Sequence, residues 1–234
     1  MTVSSLIEDK TLCVIIPTYN ASEGLGQRLS ELESAARIVV ADGGSTDDTI
    51  VQAIRGGAII AAGASGRGQQ LALGASHAGN ATWMLFLHAD NALPQDWLAT
   101  VIQHMTRHPK RVGYFRYRAN ASGFWPRFMD FWVGMRCQWW GLPYGDQGLL
   151  ISRDMYKAVG GYAEIPLFED VNMIDRIKAK FGRTSLRPLS ASLSIDVSKY
   201  AKDGVWATGQ RNLKLLKAYR RGEDIEVLQA RYRS

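Results

Sequence analysis

Four short apolar runs near the start of the chain alternate with helix-like segments, and this alternation restricts the fold more than any other feature. Strands that alternate with helical patterns are typical of βαβ units around a parallel sheet. After the first run, Leu25, Leu29 and Leu32 recur at the spacing of one helical face, and Ser22 is the expected N-cap. The sequence therefore predicts an α/β fold with helices packed on both faces of the sheet. The four runs are LCVIIP, RIVVA, AIIAA and WMLFLH.

The second half of the chain is less regular, but it contributes further elements to the same sheet. VGYFRYRA and QGLLIS favour strands, and EDVNMIDRIKAKFG favours a helix that ends at Gly182. We therefore expect a mixed, mainly parallel sheet flanked by helices, with amphipathic helices at the C-terminus. We expect a single domain over 1–234, divided into a first half at 11–110, a second half at 111–196 and a helical tail at 197–234.

Composition and charge exclude several classes of protein. The chain begins without the basic and apolar segments of a secretory signal, and it lacks the run of about 18 apolar residues that spans a membrane. Cys13 and Cys137 are its two cysteines, which favours a reduced cytoplasmic protein. The net charge of +6 lies mainly in the last third, without a zinc-finger, RRM or KH signature. We therefore expect an anionic ligand or a membrane surface as partner, and no nucleic acid.

Polar residues and glycines follow each of the four predicted strands. In open parallel sheets, ligands bind beyond the carboxyl ends of the strands, so these segments are the candidates for a binding site. They are PTYN with Pro17, Tyr19 and Asn20, DGGSTDDT beginning at Asp42, GASGRG with Arg67, and HAD with His88, Ala89 and Asp90.

Asp42 and Arg67 each have two interpretations on the residues alone. Asp42 follows an apolar run and precedes two glycines, so its carboxylate can accept hydrogen bonds from a nucleobase or a ribose, or it can simply hold the turn. Arg67 lies between two glycines, where a guanidinium can contact a phosphate or a base carbonyl. The glycine spacing there does not match the dinucleotide-binding fingerprint, which belongs after the first strand.

Six motifs, taken in order, resemble those of a known family. They are CVIIPTYN, VVADGGSTDDT, GRGQQLALGA, LFLHAD, PYGDQG and FEDVNMIDRI. This ordered set resembles the family 2 glycosyltransferases with the GT-A fold, in particular a small bacterial branch whose metal motif is His-Ala-Asp in place of Asp-x-Asp. The resemblance runs from residue 11 to residue 190. It implies an inverting, metal-dependent transfer of a sugar from a nucleotide-diphospho-sugar, with uridine or guanosine as the base, to a hydroxyl acceptor.

The resemblance also implies roles for individual residues. Asp90 would be a ligand of Mg²⁺ or Mn²⁺, and His88 would take the place of the first acid, near the ribose and diphosphate. Asp170 would be the general base with Glu169 as its neighbour, although acids at the start of a helix are common without any catalytic role. Asp146 and Gln147 would contact the sugar or the acceptor. The expected nucleotide-sugar contacts are Pro17, Tyr19, Asn20, Asp42, Arg67, His88, Ala89 and Asp90.

The sequence departs from the wider family at two places. An acid often follows the first-strand asparagine, but Ala21 follows Asn20 and the nearest acid is Glu23. An Arg-rich stretch often precedes the final helices, where this chain has DVSKYAKDG. Lys199 or Lys202 is the candidate to replace an arginine contact to phosphate.

The segment from Phe124 to Trp140 carries two aromatic stripes at helical spacing. One interpretation is a helix that lies in a membrane interface or lines a groove for an apolar acceptor, with a lipid as the candidate acceptor. The other is a helix buried between the sheet and the tail. The basic amphipathic segment NLKLLKAYRR adds the expectation of peripheral, salt-sensitive contact with anionic lipid at the cytoplasmic face of the membrane.

Two other functions compete with sugar transfer. A sugar-phosphate nucleotidyltransferase usually has a glycine-rich phosphate loop with Arg and Lys after the first strand, which PTYNASEGLG lacks. A non-catalytic module that binds a sugar nucleotide or a lipid would not need candidates for both a metal ligand and a base. Asp90 and Asp170 therefore favour an enzyme.

Overall fold

A single seven-stranded sheet forms the centre of the protein, with the order β3-β2-β1-β4-β6-β5-β7. The computed structural model describes residues 12–33, 35, 37–63, 66–121, 123–195 and 205–233. The strands are β1 (Leu12–Thr18), β2 (Arg37–Asp42), β3 (Ile59–Ala62), β4 (Trp83–Phe86), β5 (Val112–Ala119), β6 (Leu149–Ser152) and β7 (Leu186–Ile195).

The sheet is mixed and mainly parallel, as the sequence predicts. β1 pairs in parallel with β2 and β4, and β2 pairs in parallel with β3. β6 is antiparallel to both β4 and β5, while β7 is parallel to β5. Because β6 alone runs in the opposite direction among the seven strands, the residues just before it lie at the same edge as the carboxyl ends of β1, β2 and β4. Strands from both halves of the chain therefore contribute to one edge.

Helices cover both faces of this sheet. The helices are α1 (Ser22–Glu31), α2 (Thr49–Arg55), α3 (Arg67–Ser76), α4 (Trp97–Arg107), α5 (Phe124–Trp140), α6 (Arg153–Ala158), α7 (Glu169–Phe181), α8 (Val205–Arg220) and α9 (Ile225–Arg233), with 3₁₀ turns at Gly145–Gln147 and Arg183–Ser185. Neither α4 nor β7 is among the elements that the sequence patterns predicted.

Alternation along β1 explains why both faces are covered. Cys13 and Ile15 are buried in the apolar cluster that includes α3, α6 and α7, whereas Val14 and Ile16 are buried in the cluster that includes α1 and α4. A strand that is apolar on both sides is typical of a central parallel strand. The α/β prediction is thus confirmed.

The start of α1 differs from the prediction that Ser22 caps it. Ala21 is the N-cap residue, and it makes no side-chain capping bond. The amides of Ala21 and Ser22 instead donate to Thr49 Oγ1 at 2.8 Å and to Asp47 Oδ2 at 3.1 Å. Side chains from the loop after β2 and from the first residue of α2 therefore accept hydrogen bonds from the amides at the start of α1. Asp47 thus supports α1 as well as the start of its own helix.

The aromatic helix α5 is not buried between the sheet and the tail, so that interpretation is wrong. Phe131 and Trp132 are 61% and 46% exposed, and Trp139 and Trp140 are 62% and 55% exposed. The side chains of Phe124 and Trp125 lie outside the described residues. Only Cys137, on the opposite side of the helix, is buried among the described α5 side chains.

The tail contributes α8 and α9, which are amphipathic as expected. Leu215 and Leu216 of α8 are buried, and Leu216 joins the apolar cluster of α3 and α7. Lys199 and Lys202 lie outside the described residues. Among the helices that are described, none has the length and apolar character needed to cross a bilayer.

Candidate active site

The loops after β1 and β2 form one wall of the candidate site and bind each other tightly. The amide of Asn20 donates to Ser45 Oγ at 2.8 Å, and Asn20 Oδ1 accepts from the amide of Thr46 at 2.9 Å. Asn20 adopts a left-handed conformation with a φ of 47°, which asparagine tolerates better than most residues. Tyr19 beside it is 65% exposed, while Pro17 is half-buried. The predicted first-strand residues therefore frame an open loop.

Asp42 is fully buried and accepts four hydrogen bonds within the protein. Its Oδ1 accepts from Thr18 Oγ1 at 3.0 Å and from Ser45 Oγ at 2.5 Å. Its Oδ2 accepts from the amides of Gly44 at 2.9 Å and Ser45 at 2.8 Å. Burial raises the pKa of Asp42, but these hydrogen bonds outweigh it and hold the pKa below its ordinary value. The geometry favours the role of holding the turn, and contact with a nucleotide stays a prediction.

Gln70 is a site-forming residue that sequence reasoning missed. Its buried side-chain amide donates to the carbonyl oxygens of Thr18 at 2.6 Å and Ala41 at 3.0 Å. Thr18 is the last residue of β1 and Ala41 the last but one of β2, so Gln70 fixes the spacing of the loops that follow these neighbouring strands. The sequence alone carries no signal for this role, because the burial of Gln70 near the start of α3 is visible only in the structure.

Arg67 connects the strand ends to the acids of α7. Its Nη2 donates to Nδ1 of His88 over 3.4 Å, and its Nε lies 3.7 Å from Oε1 of Glu169. The Arg67 side chain is 48% exposed and that of Glu169 only 6%. Since a guanidinium cannot accept a hydrogen bond, the Nδ1 of His88 is the acceptor in this contact. Arg67 thus keeps half of its cationic surface open to a ligand.

The His-Ala-Asp segment forms a turn that Asn91 stabilises. Asn91 Oδ1 accepts from the amide of His88 at 2.8 Å, and Asn91 Nδ2 donates to the carbonyl of Asp146 at 2.9 Å. Asn91 is buried, whereas Asp90 is exposed at the edge of the sheet. Asn91, which the sequence did not single out, therefore joins the turn after β4 to the turn before β6.

Asp146 and Gln147 lie next to each other but differ in their surroundings. Gln147 is 1% exposed, donates to the Phe115 carbonyl at 3.1 Å and accepts from Arg136 at 3.2 Å. Gln147 therefore holds the turn in place, and its predicted contact with sugar or acceptor gains no support from this geometry. Asp146 Oδ1, in contrast, is buried and accepts no hydrogen bond from any described residue. Burial raises the pKa of the Asp146 carboxyl, and Arg136 opposes that shift.

Asp170 and Glu169 begin α7 and approach His88 across Gly145. Asp170 Oδ2 accepts from the amide of Gly145 at 2.8 Å. A Cβ built on Gly145 would lie 2.9 Å from His88 Nε2 and 3.5 Å from Asp170 Oδ2, so a larger residue here would require the His88 side chain to move. Burial raises the pKa of Glu169 to about 7, with the charge of Asp170 acting in the same direction and that of Arg67 against it.

A strained residue precedes these acids. Phe168 adopts a left-handed conformation with φ 61° and ψ 24°, which costs a residue with a side chain about 1–2 kcal/mol. Its ring packs on Tyr219 of α8 at a centroid distance of 5.0 Å, and Tyr219 Oη accepts from Asn172 Nδ2 at 3.1 Å. The tail helix therefore supports the segment that carries the acids, a contact that no local sequence pattern reveals.

One small cavity, of about 10 Å³ and so about the size of a single water molecule, brings several of these groups together. The chain segments that line it come from α3, the end of β4, the turn before β6 and the start of α7. Its lining residues are Leu71, Phe86, Leu87, His88, Gly145, Leu149, Tyr162, Glu169 and Asp170. Of the predicted site residues, His88, Glu169 and Asp170 share this cavity, and Arg67 contacts two of them.

The site suits a divalent cation that is shared with a ligand. Within the described part of the chain, no group of three or more His, Cys, Asp or Glu side chains could hold a metal ion by itself. Mg²⁺ commonly binds one or two carboxylates together with substrate phosphates and waters. Asp90 is exposed, and Asp146 offers an oxygen that no described residue uses. These residues therefore fit a cation that a diphosphate helps to hold.

Comparison with known proteins establishes the family. The model of "Glycosyl transferase family 2" matches residues 13–163, which is more than half of the 234 residues. The chain belongs to glycosyl transferase family 2. No curated protein sequence matches it. The resemblance that the six motifs indicate is thus confirmed at the level of the family. Five of the six motifs lie within the matched residues, whereas Glu169 and Asp170 lie beyond them.

Solved structures confirm the GT-A fold at low sequence identity. Glucosyl-3-phosphoglycerate synthase from Mycobacterium tuberculosis, in complex with Mn²⁺, UDP and glucosyl-3-phosphoglycerate, is 16% identical with a TM-score of 0.66, over 96% of this chain and 85% of that chain. The same enzyme with Mn²⁺, UDP-glucose and glycerol 3-phosphate is 17% identical with a TM-score of 0.64, over 96% and 86%. A mycobacterial protein is 15% identical with a TM-score of 0.69, over 96% and 80%.

Proposed function

We propose that this family 2 protein transfers a sugar, with inversion, from a nucleotide-diphospho-sugar to the hydroxyl of an acceptor. The observation that carries the proposal is the convergence of Asp170, His88 and Glu169 on one cavity at the sheet edge where GT-A proteins bind their donors. Arg67 adds a half-exposed cation to the same cavity wall. A binding module would not need a carboxylate held at a fixed orientation beside that cavity.

Asp170 is the proposed general base. The acceptor oxygen attacks the anomeric carbon while the bond from that carbon to the diphosphate oxygen breaks, and the electron pair leaves with the diphosphate. The acceptor proton passes to the Asp170 carboxylate. The amides of Gly145 and Val171, at 2.8 Å and 2.7 Å, fix the orientation of both carboxylate oxygens. Each oxygen keeps a lone pair for the proton.

Arg67 and Asp90 are the proposed donor-side groups. The exposed part of the Arg67 guanidinium is placed to contact a diphosphate oxygen, since Glu169 and His88 hold its other side. Mg²⁺ or Mn²⁺ bound to Asp90 would stabilise the negative charge of the departing diphosphate. The complexes of the mycobacterial synthase with Mn²⁺ or Mg²⁺ and UDP support both the metal and a uridine donor.

The acceptor has two candidate classes. The first candidate acceptor is a hydroxyl carried by a lipid at the cytoplasmic face of the membrane, because the exposed aromatic helix α5 leads directly into the turn that carries Asp146. A small phosphorylated acid is the second class, because the structurally similar synthase binds phosphoglyceric acid. Transfer of labelled sugar into the organic or the aqueous phase, with each class of acceptor supplied, separates the two.

A thermal-shift panel of nucleoside diphosphates, each with and without Mn²⁺, tests the donor site. We expect a shift with one nucleotide that depends on Mn²⁺, and a flat panel would refute the proposal. Metal-dependent hydrolysis of the matching sugar nucleotide, absent in D90A, then tests for catalysis rather than binding alone.

D170N tests the base. We expect turnover to fall by about 100-fold or more, because a positioned base contributes that much, while the nucleotide-induced thermal shift is retained. Asp175 lies on the same helix but does not line the cavity, and it pairs with Lys178 at 2.8 Å and with Arg220 at 3.8 Å, so D175N is the matched control. Unchanged turnover in a folded D170N protein would remove Asp170 from this role.

A further inference from the structure

The outward side of α5 presents a continuous aromatic face, which we define as Phe128, Phe131, Trp132, Trp139 and Trp140. Trp132 and Trp139 are seven residues apart, so they lie almost in line along the helix. The rings of Phe128 and Trp132 meet edge to face at a centroid distance of 6.1 Å. The exposed fractions of the four outer rings, from 46% to 62%, correspond to roughly 400 Å² of apolar surface. A patch of that size lies within the range of the largest apolar patch on a typical monomer, and such patches are often functional.

The charges around this face are mainly positive. Asp130 is the one acid of α5, and its Oδ1 accepts from the amide of Ala119 at 2.8 Å, which draws it toward the sheet. At the C-terminal end of the helix, Arg183 donates to the carbonyl of Trp139 at 2.5 Å. Lys178 donates to the carbonyl of Trp140 at 3.5 Å and is also paired with Asp175 at 2.8 Å, so Arg183 is the main cation at this end. An apolar face with cations at its rim is complementary to anionic lipid headgroups above an apolar interior.

The shape and composition of the face favour a bilayer over other occupants. A single exposed helix is a convex ridge, whereas sites for small molecules are concave. Indole rings combine a large apolar body with an N–H donor, and for that reason tryptophan is enriched where hydrocarbon meets water. Among these five residues three are tryptophan.

We propose that the aromatic face of α5 docks on a membrane surface that contains anionic lipid. The docking itself does not depend on the chemistry of the site. Its functional consequence, delivery of a lipid-borne acceptor, rests on the proposed sugar transfer.

Contacts on the inner side of α5 connect this surface to the site. The guanidinium of Arg136 stacks over the ring of Tyr144 at 3.5 Å and donates to Gln147 Oε1 at 3.2 Å. The thiol of Cys137 donates to the same oxygen at 3.1 Å. Because Gln147 directly follows Asp146, a bilayer that holds α5 also fixes the direction in which the acceptor side of the site faces.

Vesicle flotation tests the proposal. We expect the protein to float with phosphatidylcholine vesicles that contain phosphatidylglycerol, to float less with pure phosphatidylcholine, and to be partly released by salt. The double variant W132S/W139S should lose about tenfold or more of the bound fraction. The matched control is V51S/I54S on α2, which removes two apolar side chains that are 44% and 62% exposed away from α5, and it should bind like the wild type.

Three results would overturn the proposal: no flotation of the wild type, equal loss in both double variants, or unchanged flotation in W132S/W139S. A second copy of the chain is the competing occupant. In that case the wild type would sediment as a dimer, W132S/W139S would sediment as a monomer, and neither protein would bind vesicles. The Mn²⁺-dependent thermal shift with nucleotide should be the same in W132S/W139S and wild type, so failure of docking and failure of the proposed sugar transfer can be told apart.

Discussion

Replacing Glu169 with glutamine should make the protein more stable in neutral and alkaline solution. The Glu169 side chain is 6% exposed, next to Asp170, and only a half-exposed Arg67 offsets its charge. Burial raises its pKa from an ordinary 4.5 to about 7. Glutamine has the same shape and no charge, so E169Q removes the cost of ionising a buried acid.

The direction of the stability difference between E169Q and the wild type follows from whether the folded or the unfolded chain keeps the proton on Glu169. Below pH 4.5 the folded and unfolded chains both keep the proton on Glu169, so the wild type and E169Q should be similarly stable. Between pH 4.5 and about 7 the unfolded chain releases this proton and the folded chain retains it, so the wild type loses stability as the pH rises. The difference between the two pKa values corresponds to about 3 kcal/mol as an upper bound. For a chain of this size, that is a difference of about 6–12 °C in the melting temperature.

Thermal unfolding of both proteins across pH 4.5 to 8 measures this difference. The melting temperature of E169Q should exceed that of the wild type above pH 7 and converge with it near pH 4.5. The matched control is E164Q, which changes an exposed acid a few residues away and should follow the wild type at every pH. Parallel curves for E169Q and the wild type would show that Glu169 is not a strained buried acid.

Two further predictions concern packing and positioning. G68A should destabilise the protein by more than about 2 kcal/mol, because a Cβ there would lie 2.3 Å from the backbone oxygen of Ala163. G134A on α5 should instead stabilise it by about 0.5–1 kcal/mol, because a Cβ at Gly134 would have no atom within 4 Å and alanine favours a helix. Urea unfolding measures the free energy of unfolding of both variants. Tyr219→Leu removes the ring that packs on Phe168 and should lower kcat more than it raises KM. Tyr219→Phe keeps the ring and should retain most of kcat. An equal loss of kcat in both variants would contradict the idea that the ring positions the segment that carries Glu169 and Asp170.

The sheet could be read from the sequence where the signal is local. The four apolar runs of the first half correspond to β1 to β4, because a central parallel strand is apolar on both sides and stands out from polar loops. β7 was missed although the segment 189–195 alternates apolar residues with serine, which is itself a strand pattern; Pro188 near the start of the strand weakens that signal. The position of β6 between β4 and β5 depends on tertiary pairing, which no window of sequence contains.

The site could be predicted only as a set of positions. Motifs named Arg67, His88 and Asp170, and the structure brings these three residues together where strand ends and a helix start meet; their roles stay predictions. The direction of each side chain was not predictable. Gln147 proved to be a buried support, and Asp42 uses its oxygens within its own turn, since partners for both come from elements distant in sequence.

The reversed direction of β6 has a consequence for how acceptor preference can diverge. The proposed donor-side residues lie at the ends of parallel strands, where each loop leads into a helix that returns to the next strand, so a change in loop length disturbs a whole βαβ unit. The proposed acceptor-side turn at Gly145–Gln147 instead lies where a chain segment arrives from α5. Insertions between β5 and β6 leave the register of β1 and β2 untouched. The proposed assignment therefore predicts that the acceptor surface and the aromatic face can change as one unit while the donor side stays constant.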